Sequence, residues 1–325
     1  MTLALSAACG ALEPVLGYPD ALFRAVGHPV SWIGRLIGFL DEKLNRENHS
    51  FVRRRLMGCA ATALVLAAAA VAGAVVERVL ALAPAPFGFL LSAAASSTLV
   101  AQKSLFDHVR AVGAALESGG IEAGREAVAR LVGRDVSALE AAGVRRAAIE
   151  SLAENFSDGI VAPLLWIAAF GLPGGLVYKA LNTADSMVGH CSARHEAFGF
   201  AAARLDDLAN LVPARWSALC VIVAAAFTSS AEARAGARIV RRDHGAHDSP
   251  NSGWPEAAFA GALGLKFGGP RRYGKRLVEG HFIGDGRADA TPQDLSRALA
   301  LYRRACLVNW AALAFGALAF ILWRG

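Results

Sequence analysis

Residues 149–159 carry acidic side chains at helical spacing. Glu150, Glu154 and Asp158 follow one another at intervals of four residues, so on an α-helix they would form a single stripe. Like charges at this spacing repel, which costs stability unless a cation or a basic substrate group lies against them. The stripe leads directly into an apolar segment, where carboxylates are costly and usually functional. The pattern therefore favours a functional site over a solvated helix face.

A second polar cluster follows the same apolar segment. Asn155 with Asp158, and Asn182 with Asp185, repeat the spacing N-x-x-D, which places an amide oxygen and a carboxylate within one helical turn. Hard oxygen ligands suit Mg²⁺ that is bound together with substrate phosphates. One such pair is more often a helix cap or a turn, but its repetition around one apolar segment predicts a Mg²⁺ site.

Charged residues also stand where a long apolar run begins. Asp206 and Asp207 are explained either by the start of a helix, where Asp favours the positive end of the dipole, or by contact with metal or substrate. Arg204 suits a phosphate or carboxylate partner, because its planar guanidinium binds such groups with two hydrogen bonds.

The segment from Asp243 to Glu256 combines histidines with turn residues. Residues 249–253 (Ser-Pro-Asn-Ser-Gly) have the composition of a turn, and Trp254-Pro255-Glu256 begins a helix with proline in its first turn. His244, His247 and Asp248 lack the further ligands that a zinc site requires. No P-loop is present, so a nucleotide would be held in another way.

The elements that must position these residues are membrane helices. The chain of 325 residues is 55% hydrophobic and only 18% charged, with a mean hydropathy of +0.40, and soluble domains carry roughly a quarter charged residues. The net charge of +6 comes from Lys and Arg clusters beside apolar segments, not from basic residues interleaved with aromatic ones. We therefore predict an integral membrane protein and exclude nucleic acid as a partner.

Several apolar stretches are long enough to enter the bilayer. Three can cross about 30 Å of hydrocarbon: residues 57–76, 208–227 and 305–323. Three weaker ones are residues 3–16, 87–101 and 160–178, the last interrupted by Pro163 and by the glycines and proline of 171–175. With no β pattern of useful length, the chain is predicted to be an all-α, polytopic membrane protein with about four to six membrane-embedded helices. The interruption also allows 160–178 to be a re-entrant or broken helix.

The polar stretches between these segments are basic. Residues 18–56, 103–158 and 230–304 are rich in Lys and Arg, which places them in the cytoplasm by the positive-inside rule. This predicts one integral membrane domain over residues 1–325, with 103–158 and 230–304 as cytoplasmic stretches within it. The placement requires an even number of crossings between Asp158 and Arg234, so 160–178 and 208–227 either both cross or both do not.

The motifs resemble, in chain order, the CobD/CbiB family of cobalamin biosynthesis proteins, the adenosylcobinamide-phosphate synthases. The similarity covers nearly the whole chain. It is carried by His28-Pro29-Val30, Leu44-Asn45-Arg46, Glu150-Ser151-Leu152-Ala153-Glu154-Asn155, Ser157-Asp158-Gly159, Asn182-Thr183, Asp185-Ser186-Met187, the run 203–210 and the run 249–256.

The resemblance implies an ATP- and Mg²⁺-dependent ligase. Such an enzyme joins (R)-1-amino-2-propanol, or its O-phosphate, to the propionate carboxylate of adenosylcobyric acid, which gives adenosylcobinamide or its phosphate. The implied setting is a bacterial inner membrane that the chain crosses several times, with the active site facing the cytoplasm. The implied partners are these substrates, the lipid bilayer and other late enzymes of the cobalamin pathway.

We assign roles on this basis as hypotheses. The catalytic residues would be Glu154, Asp158, Asp185 and Arg204, with Glu154 as the base that deprotonates the attacking amine. Asp158, Asp185 and Asp207 would hold Mg²⁺. The substrate-binding residues would be His28, Asn155, Ser157, Asn182, Ser249, Asn251, Trp254, Glu256 and Lys266.

Two other classes of protein fit parts of the pattern. An intramembrane prenyltransferase also uses Asn and Asp clusters at helix ends to bind Mg²⁺ diphosphate, but its acidic motif has more aspartates and it needs no ATP. A corrinoid transporter or a non-catalytic scaffold would explain broken helices with polar groups. Nucleotide dependence separates the first alternative from a ligase, and flux without covalent change would identify the second.

Overall fold

The computed structural model describes residues 1–18, 24, 27–133, 135–189, 192–269, 271–273, 276–278 and 280–324, with the backbone alone for 271–273 and 276–278. The chain forms two compact units. Unit 1 comprises Met1–Ala101, Ala162–Asn210 and Leu313–Gly325, and unit 2 comprises Gln102–Val161 and Leu211–Ala312. The prediction of a single domain over residues 1–325, with cytoplasmic stretches at 103–158 and 230–304, stays a prediction.

The described elements are almost entirely helical. The helices are α1 (Thr2–Leu16), α2 (Pro29–Leu44), α3 (Phe51–Leu80), α4 (Phe87–Ser97), α5 (Gln102–Ser118), α6 (Gly120–Ala129), α7 (Ala141–Phe156), a π-helical turn (Ser157–Val161), α8 (Ala162–Val188), α9 (Phe200–Ala209), α10 (Leu211–Ala226), α11 (Ser230–Asp243), a 3₁₀ turn (His244–Ala246), α12 (Gly253–Leu263) and α13 (Pro292–Arg324).

Two small antiparallel ladders interrupt the helices between α12 and α13. Strand β1 (Phe267–Gly268) pairs with β4 (Phe282–Ile283), and β2 (Arg271–Tyr273) pairs with β3 (Arg276–Val278). Residue patterns do not predict these ladders, because strands of two or three residues are too short to show an alternating pattern. The prediction of an all-α membrane fold is otherwise confirmed.

Helices α3, α8 and α13 satisfy the length and hydropathy required of a membrane span. The three candidate spans are Phe51–Leu80, Ala141–Val188 (which runs from α7 through the π turn into α8) and Pro292–Arg324, and a fourth exists if the bent pair α9 and α10 is counted as one. This count lies at or below the lower end of the predicted four to six. The difference arises because the weaker stretches form short helices: α1 has 15 residues and α4 has 11.

Helix α8 reverses direction at Gly171, as the interruption in the sequence suggested. Gly171 has φ 70° and ψ −161°, outside the helical region and at a positive φ that favours glycine. The rings of Trp166 and Tyr178 lie 6.1 Å apart, whereas twelve residues of straight helix would separate them by about 18 Å. Segment 160–178 is therefore not one continuous span but part of a helical hairpin, with a half-helix on either side of Gly171.

The core of unit 1 is built from small residues on four helices. Ile37 and Leu40 of α2 pack with alanines and valines of α3, α8 and α9. These helices approach closely because their contacting faces carry few large side chains, which is typical of helix packing in membranes.

The core of unit 2 forms around helix α7 and the buried helix α12. The Phe156 ring meets Phe259 edge-on at 6.4 Å and Tyr302 at 5.9 Å, and all three side chains are almost completely buried. Such aromatic pairs stabilise beyond the area that they bury. This core fixes the end of α7, where Glu154 and Asn155 lie, against the start of α12.

Candidate functional site

Within unit 2, the acidic motif of α7 meets the turn that precedes α12. The Ser252 hydroxyl donates a hydrogen bond of 3.1 Å to Glu154 Oε1. Ser252 is the N-terminal cap residue of α12, but its hydroxyl makes no capping bond, so its side chain is directed to Glu154. The structure thus brings together two motifs that are 98 residues apart in the chain.

The rest of that turn is held by its own side chains. Ser249 Oγ accepts hydrogen bonds from the backbone N–H groups of Asn251 (3.2 Å) and Ser252 (3.4 Å), as the turn composition predicts. The N–H of Ser249 in turn donates to His247 Nδ1 at 2.9 Å. Neutral His247 therefore carries its proton on Nε2, which lies 3.7 Å from Glu256 Oε1.

Glu256 and Asn251 are buried at the start of α12. Glu256 is 1% exposed and Asn251 is 4% exposed. Burial of this degree favours a role in positioning His247 and the turn over direct contact with a substrate. Their predicted part in substrate binding stays a prediction.

Trp254 lies between two basic side chains. Its ring is 4.2 Å from the His244 imidazole and 4.6 Å from the Arg215 guanidinium. A cation over the face of an indole is attracted by the negative face of the ring. The indole N–H is buried without a hydrogen-bond partner among the described residues, so a polar group of a ligand would satisfy it.

A π-helical turn follows α7 and contains two predicted site residues. Ser157 and Asp158 lie in this turn, where the backbone leaves the regular α-helical spacing from which the stripe of Glu150, Glu154 and Asp158 was predicted, and that stripe stays a prediction. Single π turns are frequent at functional sites. Ser157 is buried, and its hydroxyl has no hydrogen-bond partner in the described part of the chain.

Two predicted residues of unit 2 interact locally. The Asn155 side-chain amide donates to the backbone oxygen of Ser151 at 3.0 Å and to its hydroxyl at 3.2 Å. Lys266 places its ammonium 4.6 Å from the centre of the Phe282 ring. No contact described for Lys266 joins it to the cluster around Glu154.

Unit 1 carries a separate oxygen-rich cluster on α8 and α9. Asp206, 9% exposed, accepts a 2.9 Å hydrogen bond from the Asn210 amide, and Asn210 accepts one of 2.9 Å from the Tyr178 hydroxyl. Asn182 also donates to Asp206, which lies within electrostatic reach of Asp185. The predicted residues Asn182 and Asp185 therefore belong to a cluster whose buried centre is Asp206.

Asp207 and Arg204 lie on a more exposed face of α9. Their side chains approach to 3.7 Å, and Arg204 is 69% exposed. Its guanidinium is 5.8 Å from the Phe200 ring, and that of Arg55 is 3.5 Å from the same ring. The Arg204 guanidinium is thus exposed to solvent and accessible to an anionic ligand.

His28 has a structural role that its motif did not reveal. Its Nδ1 accepts the N–H of Val30 at 3.2 Å and so caps α2, and its ring lies 4.4 Å from that of Tyr18. Burial, followed by the charge of Lys179, lowers the pKa of His28 despite a hydrogen bond to the Thr98 backbone. The imidazole is therefore neutral at pH 7, and its predicted contact with substrate stays a prediction.

Sequence reasoning weighed Asp206 as a metal or substrate contact and His247 as a zinc ligand, but it assigned neither of them, nor Ser252, to the site. Asp206 was visible in principle, because Ala202, Asp206 and Asn210 recur every four residues and therefore share one face of α9. Ser252 and His247 gave no periodic signal. Their partners lie elsewhere in the chain, at Glu154 and Glu256, and only the tertiary fold brings them together.

The donor set of unit 1 is chemically suited to Mg²⁺. Asn182, Asp185, Asp206 and Asp207 offer only oxygen ligands from amides and carboxylates, and Mg²⁺ commonly takes one or two carboxylates and completes its shell with water and phosphate. Among the described residues, no three or more His, Cys, Asp or Glu side chains come together in a group that could hold a metal ion. The chemistry of these donors suits an Mg²⁺ ion that takes most of its ligands from water and a phosphate-bearing substrate, and their part in metal binding stays a prediction.

Together, the helices, candidate spans and buried polar clusters define an all-α polytopic membrane protein with polar sites beside its apolar segments. The family model for the CobD/Cbib protein matches residues 6–302. The chain belongs to this family.

Curated relatives extend the match over nearly the full length. The chain is 50% identical over 314 residues to the cobalamin biosynthesis protein CobD of Sinorhizobium fredii, covering 96% of this chain and 95% of the relative. It is 48% identical to the protein of that name from Rhodobacter capsulatus, covering 90% of each chain, and 45% identical to the one from Brucella suis, covering 90% and 89%. No solved structure matches the chain.

Proposed function

We propose that this protein acts in cobalamin biosynthesis as a membrane-bound ligase that forms an amide between adenosylcobyric acid and (R)-1-amino-2-propanol or its O-phosphate, at the expense of ATP. The observation that carries the proposal is the hydrogen bond between Ser252 and Glu154. It joins two of the motifs by which the chain resembles its family, and it gives a half-buried carboxylate a fixed orientation. The names of the curated relatives support the pathway.

The proposed chemistry proceeds in two steps. A propionate oxygen of the corrinoid attacks the γ-phosphorus of ATP, which gives an acyl phosphate and ADP. The amine then attacks the acyl carbon, the amide C–N bond forms and inorganic phosphate leaves. The amine loses one proton in this step, and Glu154 accepts it through the oxygen that Ser252 does not occupy.

The remaining residues bind and orient. Arg204, exposed on α9, binds a negatively charged group of a substrate. Trp254 has a buried indole N–H, which a polar group of a substrate would satisfy. Polar contacts to the substrates come from Asn155, Ser157, Asn182 and Lys266. The turn that carries Ser252 is held by Ser249, Asn251 and Glu256.

Mg²⁺ would neutralise the crowded phosphate oxygens of ATP. In unit 1, Asp185 and Asp207 with Asn182 would hold it, and Asp206 would orient this set through Asn182 and Asn210. Asp158 belongs to the π turn of unit 2, and its predicted part in metal binding is a separate proposal.

We further propose that the protein lies in a bacterial inner membrane with its site open to the cytoplasm, near other late enzymes of the pathway.

The first test is reconstitution. Detergent-purified protein supplied with lipid is incubated with adenosylcobyric acid, aminopropanol phosphate, Mg²⁺ and ATP, and mass spectrometry follows the amide product beside phosphate release. We expect product only when all four components are present, and free aminopropanol in a parallel reaction identifies the preferred amine. Folded protein that forms no amide with either amine would overturn the ligase proposal.

A further inference from the structure

Helices α10 and α11 of unit 2 form an antiparallel hairpin. Only Phe227, Thr228 and Ser229 connect them, and Gly236 of α11 packs against Ile222 of α10, where a Cβ at Gly236 would lie 3.6 Å from Ile222 Cγ1. A short connection of this kind makes the two helices neighbours along their lengths. Whatever depth α10 has in a membrane, α11 therefore shares it.

Two side-chain hydrogen bonds join the hairpin to the candidate span α13. Trp216 Nε1 donates to Asn309 Oδ1 at 2.9 Å, and Arg304 donates to the Thr228 hydroxyl. Trp216 lies about 15 Å from the end of α10 at Ala226 along the helix axis, whereas Arg304 and Asn309 lie about 7.5 Å apart along α13. The unequal spacing indicates that α10 is inclined to α13.

The connection between the two helices lies where the apolar part of α13 begins. Arg304, which binds Thr228, is the last charged residue before the apolar run of 305–322. Charged side chains at such a boundary sit at the membrane surface. The tip of the hairpin therefore lies at that surface.

One side of the hairpin is basic. Arg234, Arg238, Arg241 and Arg242 line a concavity of about 500 Å³ on α11. Arg238 and Arg242 share Asp285, at 3.2 and 3.1 Å, whereas Arg234 and Arg241 have no ion pair or hydrogen bond among the described residues. At hydrocarbon depth exposed arginines are very costly, but at the surface they attract anionic headgroups.

The other helix of the hairpin exposes an apolar stripe. Four apolar residues of α10 and of the connection that follows it recur at intervals of seven, four and four residues, so they share one face. They are Val212 (70% exposed), Leu219 (48%), Val223 (38%) and Phe227 (75%). An exposed apolar stripe beside a basic helix is the composition of an element that lies in the membrane interface.

We propose that the α10–α11 hairpin does not cross the membrane but lies on its surface, where the arginines of α11 bind the phosphates of anionic phospholipids. Of the two arrangements that the basic stretches allowed, this is the one in which 208–227 does not cross. The proposal is independent of the ligase activity.

The first test is sidedness. In a cysteine-free background, Ser230→Cys places a thiol at the tip of the hairpin, and Asp248→Cys places one beyond its opposite end. Both positions are exposed. We expect a membrane-impermeant maleimide to label both thiols from the same face of oriented vesicles. Labelling from opposite faces would show that the hairpin spans the bilayer and would overturn the proposal.

The second test is lipid retention. Detergent-purified protein is mixed with phosphatidylglycerol or phosphatidylcholine, and bound lipid is counted by native mass spectrometry. We expect preferential retention of phosphatidylglycerol, reduced about ten-fold or more in the Arg234→Gln/Arg241→Gln variant. Arg110→Gln/Arg130→Gln removes the same charge from exposed positions of α5 and α6 and should change little.

A further experiment with excess ATP tests whether the arginines of α11 bind the phosphate of a lipid headgroup or that of a nucleotide. Phosphatidylglycerol should remain bound in the presence of ATP. Its displacement by ATP, with the same loss in the Arg234→Gln/Arg241→Gln variant, would make the concavity a nucleotide site. Equal retention of both lipids, or an equal effect of the control pair, would show that α11 does not recognise anionic headgroups.

Discussion

Ser252 Oγ and Glu154 Oε1 are 3.1 Å apart, and this hydrogen bond links the end of α7 to the start of α12. A hydrogen bond to a charged group contributes more than one between neutral groups. It also fixes which carboxylate oxygen remains available. The orientation of Glu154, and not only its presence, is therefore part of the proposed site.

Ser252→Ala should lower kcat about ten-fold, which corresponds to the loss of one hydrogen bond to a carboxylate. Ser252→Thr keeps the hydroxyl and should restore most of the rate. Because the Ser252 hydroxyl makes no capping bond to α12, the loss of unfolding free energy should be limited to this one hydrogen bond, about 1.5–3 kcal/mol. Initial rates and unfolding midpoints in detergent measure the two effects. Ser118→Ala, at the exposed end of α5, is the control.

Glu154→Gln should lower the rate further and flatten its dependence on pH, since the amide cannot accept a proton. Initial rates across pH for the wild type, Glu154→Gln and the exposed control Glu122→Gln make the comparison. An unchanged pH profile in Glu154→Gln would remove Glu154 as the base and leave it a positioning residue.

Gly253→Ala should destabilise unit 2. A Cβ at Gly253 would lie 2.1 Å from the backbone oxygen of His244 and 3.2 Å from the Cβ of His247, so backbone must move. Overpacking of this kind costs about 1–3 kcal/mol. Gly245→Ala is a matched control eight residues earlier, with nothing within 4 Å of its Cβ. Thermal unfolding of both variants should show a lower midpoint for Gly253→Ala alone, and equal midpoints would contradict the close approach.

The oxygen cluster of unit 1 predicts a change in the requirement for Mg²⁺. Asp185→Asn should raise the Mg²⁺ concentration needed for half-maximal rate, because a ligand charge is lost. Asp206→Asn should do the same more weakly, since Asp206 acts through its neighbours. Initial rates against free Mg²⁺ test both, with Asp248→Asn as an exposed control. A lower rate with no shift in the Mg²⁺ requirement would assign these residues to structure.

The hydrogen bonds of Asp41 lead to a prediction of how the stability of unit 1 changes at low pH. Burial alone would raise its pKa, but hydrogen bonds from Asn45, Arg194 and His195 outweigh this and hold the pKa below the ordinary 3.8. A lowered folded-state pKa means that the stabilisation is fully present above the unfolded-state pKa and is lost as the pH falls through the folded value. Asp41→Asn should therefore be less stable than the wild type at neutral pH.

The difference in unfolding midpoint between Asp41→Asn and the wild type should shrink at pH values below about 4. Thermal unfolding in detergent across this range measures it. The variant Asp248→Asn, which removes an exposed carboxylate, should show no such convergence. A constant difference at all pH values would mean that Asp41 stabilises through packing and not through its charge.

Much of the fold could be predicted from residue patterns, because hydropathy reports what a helix can span. The apolar run at 57–76 lies within α3, and the glycines and proline of 171–175 mark the reversal in α8. Hydropathy cannot report whether an apolar segment is one straight helix or is bent. The run at 208–227 has the composition of a span, yet it divides between α9 and α10, which are bent by 45°.

The candidate site was predictable in residue type but not in partnership. Asn182 and Asp185 were found from spacing, whereas the buried member of their cluster, Asp206, is adjacent in sequence to the more exposed Asp207. Which of two neighbouring aspartates is buried depends on how α9 rotates against its neighbours. The π turn that contains Asp158 was likewise not predictable, because no residue type encodes such a turn reliably.

The reversal at Gly171 also has a consequence for biogenesis. The apolar residues between Asp158 and the turn at Gly171, 159–170, are fewer than the roughly 20 that cross hydrocarbon, and the turn leaves backbone groups that lipid cannot satisfy. The insertion machinery cannot release such a segment into lipid by itself. Its cover comes from α1 and α3, and Ser6 of α1 already donates a 2.7 Å hydrogen bond to the backbone oxygen of Leu164. Since both helices precede the hairpin in the chain, the order of translation is also the order in which this part of unit 1 can assemble.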